Sequence, residues 1–171
     1  MKVFAQISIG ILLALPTGAP DIQVAFSPNG KATDLVLRTI RSAHHTIRMA
    51  AYTFTSRPIA LAFVEARQRG VDVQVVVDRR QNYRGYTQAH YVAANGIPVR
   101  GDARCAIMHD KFIVVDNKTV EEGSFNYTAA AERKNAENVL VLHDRRVAKE
   151  YATEWGRLWN ESAPIQVRED E

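Results

Sequence analysis

The run Val71-Asp72-Val73-Gln74-Val75-Val76-Val77 restricts the possible folds of this chain more than any other segment. Its residues are mostly β-branched, and its last part is apolar at successive positions. A strand with one wet face alternates apolar and polar residues, whereas a strand apolar throughout is covered on both faces. Helical patterns stand on either side of it: residues 57–69, stopped by Gly70, and 86–94, stopped by Asn95-Gly96. Further strand patterns run through 22–26, 46–52, 97–100 and 136–142, and further helical patterns through 32–42 and 145–159. Ser27-Pro28-Asn29-Gly30 makes a turn, and a short helix begins near Tyr127. This order predicts an α/β fold, a mixed β-sheet sandwiched between helices on both faces.

The 171 residues are 46% hydrophobic and 24% charged, a globular rather than a disordered composition. No repeat or linker divides them. A net charge of +3 favours a polyanionic partner only weakly. The N-terminus carries Lys2, an apolar run over 3–15 and then Pro16-Thr17-Gly18-Ala19, the pattern of a secretory signal peptide cleaved after Ala19. The expected organisation is a leader over 1–19 and one catalytic domain over 20–171, exported to the periplasm or secreted. A retained membrane anchor is the competing reading, although the run is short for a span of about 20 residues. Cys105 is the only cysteine, so no intrachain disulfide can form. No Cys/His spacing resembles a zinc site, and neither metal nor cofactor is expected.

The chemistry is concentrated in His109-Asp110-Lys111, followed by Asp116 and by Gly123-Ser124-Phe125-Asn126. His109 and Lys111 lie two apart and share a strand face. A two-residue turn at Asn117-Lys118 would pair Asp116 with Thr119, Lys111 with Ser124 and His109 with Asn126. His109, Lys111, Ser124 and Asn126 would then converge on one patch, with Ile113 and Val115 continuing that face inward. A neutral imidazole can attack phosphorus, an ammonium neutralises a non-bridging oxygen, and hydroxyl and amide donors hold the other oxygens. The competing reading is a surface hairpin whose polar residues face water.

His-x-Lys-x4-Asp-x6-Gly-Ser-x-Asn resembles the signature of the phospholipase D superfamily. The similarity extends through Phe26-Ser27-Pro28-Asn29-Gly30, Ala51-Tyr52-Thr53-Phe54-Thr55, Arg69-Gly70-Val71-Asp72-Val73, Asn95-Gly96-Ile97-Pro98 and Asn135-Ala136-Glu137-Asn138. It is closest in kind to the small, exported, single-motif bacterial endonucleases of that superfamily. The resemblance implies a metal-independent phosphodiesterase in which His109 forms a phosphohistidine while a second His109 acts as acid and then base. Lys111 and Asn126 would grip the phosphate with help from Ser124, and Glu137 would orient the histidine. Asp116 and Gly123 would be structural parts of the motif. Larger relatives carry two motifs in one chain; one motif here implies a homodimer with both hairpins at its axis. DNA or RNA is the expected substrate, phospholipid the alternative, and a silenced phosphate- or nucleic-acid-binding module a third possibility.

Glu122 departs from the pattern, which usually has a small hydroxyl residue before the glycine. In the register above it lies opposite Ile113 on the His109/Lys111 face. There its carboxylate would pair with Lys111, raise the imidazole pKa or repel phosphate, unless it swings to solvent. His44, His45, His90 and His143 read as surface residues. Arg79, Arg80, Tyr83 and Arg84 form a basic, aromatic loop suited to a nucleic-acid backbone, or simply solvated. Arg104 and Lys134 are candidates for phosphate steering, and Trp155 and Trp159 read as packing of the last helix.

Overall fold

A computed structural model describes residues 21–29, 31–83 and 86–165. The leader, Gly30 and Arg84 lie outside those residues. The elements are β1 (Asp21–Ser27), α1 (Lys31–Arg41), β2 (Thr46–Ala51), α2 (Arg57–Gln68), β3 (Asp72–Asp78), α3 (Arg79–Tyr83) and α4 (Gln88–Ala94). They continue with β4 (Val99–Asp102), β5 (Lys111–Val115), β6 (Thr119–Gly123), α5 (Ala129–Arg133), β7 (Glu137–His143), α6 (Arg145–Glu161) and β8 (Ala163–Pro164). The strands form one mixed sheet in the order β1-β7-β6-β5-β2-β3-β4-β8. β2, β3 and β4 are parallel, and every other pairing is antiparallel. This is the expected sandwich.

β3 lies inside the sheet, and its residues Val75, Val76 and Val77 are fully buried. Val75 and Val77 point into the core under α1, α2 and α4; Val76 points into a second core under α6. Burial of each such side chain stabilises the fold by roughly 1.5–3 kcal/mol. Trp155 anchors α6 by donating its indole N–H to the Met49 carbonyl at 2.9 Å, and its ring stacks on Trp159.

Local chemistry moves some boundaries. The pattern over 86–94 begins as a helix only at Gln88, because the Thr87 hydroxyl accepts from Ala89 N and caps it. α3 and β8 were not foreseen; five and two residues are too short to show a period. The hairpin requires a larger correction. Val115 pairs with Thr119, Val114 with Val120, Ile113 with Glu121 and Phe112 with Glu122. The turn therefore centres on Asp116-Asn117, with φ of +53° and +50°, and Lys118 N donates to the Val115 carbonyl. One residue of slip reverses the faces of β6. Glu122 stands on the Phe112 side of the sheet, toward α6, and Glu121 takes the face of Lys111 and Ile113.

Candidate active site

The motif residues gather where β5 and β6 end. His109 precedes β5 and is exposed, while Lys111 begins that strand and is only 9% exposed. Lys111 Nζ lies 3.2 and 3.3 Å from the two His109 ring nitrogens and donates to the His109 carbonyl at 2.6 Å. Tyr52 closes the other side: its ring centroid is 4.6 Å from that of His109, and Lys111 Nζ is 5.4 Å from the same ring. Tyr52 is placed because Ala51 pairs with Lys111 in the sheet and Tyr52 N donates to the Asp110 carbonyl. Burial lowers the Lys111 pKa, opposed by the charges of Asp110 and Glu137.

β6 ends at Gly123, where any Cβ would stand 2.2 Å from the Asn138 carbonyl oxygen; only glycine fits. The chain then presents Ser124 and Asn126. Ser124 Oγ donates to Glu137 Oε2 at 2.6 Å and accepts from Asn138 N at 3.1 Å. Asn126 Oδ1 is buried with no hydrogen-bond partner among the described residues. An orphaned acceptor beside a pocket calls for a donor, and it leaves the Nδ2–H groups of the same amide as the ones able to meet an anion. His109, Lys111, Glu122, Ser124, Asn126 and Tyr151 all line that pocket. Burial and the nearby Glu154 charge raise the pKa of Asp110, which shares the rim.

Glu137 joins the group through Ser124 rather than through the imidazole. Its second oxygen accepts from Asn135 Nδ2 at 2.9 Å, and no hydrogen bond links it to His109 of the same chain among the described residues. Asp116 stands apart at the hairpin tip, where its carboxylate accepts from the backbone N–H groups of His44, His45 and Thr46 at 2.8–3.0 Å. Partial burial would raise its pKa, but those three donors outweigh that and hold it below the ordinary value. Glu122 keeps its place at the pocket, though not the expected one: it approaches from the α6 side with Phe112 and Tyr151. Burial, Glu122 and Asp110 raise the Tyr151 pKa.

Tyr52, Asp110 and Tyr151 were given no role from the sequence, although Asp110 lies inside the motif and Tyr52 inside one of the stretches similar to the family. His44, His45 and His143 are exposed as expected. His90 is half-buried and lines a separate cavity with Arg79 and Tyr83. Arg80 reaches the Ala106 carbonyl, and Arg79 lies over the Tyr83 ring. Arg104 pairs with Glu161, and Lys134 is exposed. Among the described residues no group of three His, Cys, Asp or Glu side chains is placed to hold a metal ion.

The model of the cardiolipin synthase, PLD-like domain family matches residues 36–159. A phospholipase D of Rickettsia felis is 35% identical over 134 residues, 78% of this chain and 67% of the relative. A mitochondrial cardiolipin hydrolase of Xenopus tropicalis is 35% identical over 130 residues, 76% of this chain and 61% of the relative. The chain thus spans about two thirds of the length of these relatives. Nuc from Salmonella typhimurium, a phospholipase D family member of solved structure, superposes with a TM-score of 0.84 at 45% identity. That match covers 86% of this chain and 99% of Nuc. NucT from Helicobacter pylori, at 21% identity and a TM-score of 0.72, shares the fold. With the motif, the sheet and these relatives in agreement, the chain belongs to the phospholipase D superfamily, on its single-motif, Nuc-like branch.

Proposed function

We propose that this chain is a homodimeric endonuclease that cleaves nucleic acid with little sequence preference, without a metal, through a phosphohistidine on His109. The observation that carries the reading is the exposed His109 ring held against a buried ammonium in a pocket lined by Ser124 and Asn126. A His109 nitrogen attacks phosphorus; the N–P bond forms as the P–O bond to the leaving group breaks. The His109 of the second copy protonates the leaving oxygen. It then takes a proton from water, whose oxygen attacks phosphorus and releases the first histidine. Lys111 neutralises a non-bridging oxygen and the Asn126 side-chain N–H groups grip another, while Ser124, which donates its hydroxyl to Glu137, turns that proton to the phosphate only when the bond to Glu137 opens. A site that grips phosphate without reading bases is indifferent to sequence.

A second copy has an apolar surface to occupy. Ile22, Val24 and Phe26 are 51%, 54% and 66% exposed, and they pair with Leu142, Leu140 and Asn138 of β7. They lie on the α6 side of the sheet, beyond the strands that α6 covers. This ladder runs up to the site, because Asn138 N binds Ser124 and Leu140 pairs with Glu122. Burying it against its two-fold copy would bring two His109 side chains toward one phosphate. The leader pattern further supports action outside the cytoplasm.

The relatives named phospholipase D and cardiolipin hydrolase favour a second reading, hydrolysis of a phosphatidyl phosphodiester. The deciding experiment is nicking of supercoiled plasmid by the purified protein in excess EDTA, beside His109→Ala. Nicking that persists in EDTA and falls on the order of a thousandfold or more in the variant supports the nuclease. No nicking, with release of head groups from phosphatidylcholine or cardiolipin vesicles, would replace it with the lipase. DNA binding without turnover of either substrate would identify a silenced module, and a monomer by sedimentation equilibrium would overturn the shared site.

A further inference from the structure

Glu121 is a carboxylic acid inside the core. It is 1% exposed on the inner face of β6, between Ile113 of β5 and Val141 of β7. Its Oε2 accepts from the Tyr127 hydroxyl at 2.8 Å, and Tyr127 is itself wholly buried. Tyr127 has further attachments. Its carbonyl accepts from Thr55 N and Ser56 N at 2.9 and 2.8 Å, and its residue forms a bridge with Phe54. The Glu121–Tyr127 bond therefore closes a loop of chain whose intervening residues include Gly123, Ser124 and Asn126. One end of the loop is set by the sheet and the other by the segment after β2.

We propose that Glu121 is a positioning residue for the phosphate-gripping segment 124–126, acting through Tyr127, and that its ionisation loosens that segment. The proposal rests on the reading of this pocket as a phosphodiester site. Burial pushes the Glu121 carboxyl up to about 8, with the Tyr127 hydroxyl opposing the shift and the Glu122 charge adding to it. Burial and the same two glutamates hold Tyr127 well above its ordinary value, so it stays a donor. Few groups face Glu121. Lys111 lies diagonally across β5, and His143 lies further along β7, where it contacts Thr119. Over this face α1 buries apolar residues with Thr33 and Thr39, α2 buries apolar residues, α5 buries Ala131, and α4 buries Gln88 beside Ala89 and Val92, so no buried residue of these helices carries a charge. Among the described residues no cation pairs with Glu121. A carboxylate formed there is uncompensated and disfavours the packed arrangement.

The test is the pH dependence of bis(4-nitrophenyl) phosphate hydrolysis by wild type, Glu121→Gln and Tyr127→Phe, with a melting curve at each pH. In the wild type we expect KM to rise about tenfold between pH of about 7 and about 9.5, with kcat changing less. Glu121→Gln retains a hydrogen-bond acceptor for Tyr127 and should keep a low, flat KM. Tyr127→Phe should raise KM severalfold at neutral pH while still melting cooperatively. An alkaline rise that persists in Glu121→Gln would belong to Lys111 and overturn the proposal. So would a wild-type KM in Tyr127→Phe, or a flat KM in the wild type. A wild type that hydrolyses no diester, and matches His109→Ala, would instead overturn the reading of the site and the role of Glu121 with it.

Discussion

Two carboxyl groups hold the β5–β6 hairpin, one at its tip and one in the middle of β6, and the two are in opposite protonation states at neutral pH. At the tip, Asp116 meets three backbone N–H donors near solvent and is held ionised. In the middle of β6, Glu121 meets one phenol inside the core, and burial pushes its pKa up to about 8. The contrast shows that donor number and burial, not residue type, decide what a carboxyl does. The tip is locked by charge and the middle of β6 by the absence of charge. Acid should loosen the first, and alkali the second.

Glu121→Gln offers the largest break in that contrast. The Glu121 pKa is raised in the fold, so the stability it contributes is complete below its ordinary value of 4.5 and is lost as pH rises through about 8. The amide cannot ionise. Urea unfolding across that window should show the variant gaining on the wild type by up to about 4 kcal/mol. Parallel curves would mean that Glu121 ionises freely in the fold.

Asp116→Ala should cost less, about 2 kcal/mol at neutral pH, since three charge-assisted bonds at a half-exposed site are lost and water replaces part of them. The Asp116 pKa is depressed, so its stabilisation is present above 3.8 and disappears as pH falls through the folded value. The cost measured by unfolding should therefore shrink toward zero in acid. A cost independent of pH would assign the tip lock to packing.

Glu122→Thr should give the smallest effect. Removing this charge from the pocket wall should raise diesterase activity about twofold to threefold, through weaker repulsion of phosphate. It should also lower the alkaline limit slightly, because Glu122 helps keep Glu121 neutral. Equal or lower activity would rule out an inhibitory Glu122.

The motif was legible because its chemistry is local. Period two put His109 and Lys111 on one face, and the Gly123-Ser124 sequence marked the end of β6. The register failed where the determinant is distant. Asp116 adopts positive φ while its carboxylate binds N–H groups of His44, His45 and Thr46, and no local pattern shows that. Glu121 was invisible for a related reason: beside Glu122 it looks like half of a solvated acidic pair, and unpaired acids are almost never fully buried. Tyr52 and Tyr151 come to the pocket from β2's end and from α6, so only the folded sheet makes them neighbours of His109.

The pairing of β1 has a consequence for the order of assembly. Asp21 meets His143 and Ser27 meets Glu137, so β1, the first strand among the described residues, finds its partner only after more than a hundred further residues have followed. The β2–α2–β3 unit can close early, since its strands are separated by a single helix. The hairpin can then dock on β2 through β5. β1 must wait, with its backbone N–H and C=O groups without ladder partners, until β7 arrives. A ribosome stalled before residue 137 would leave a nascent chain with β1 unpaired, and nascent-chain crosslinking should find chaperones at that strand first.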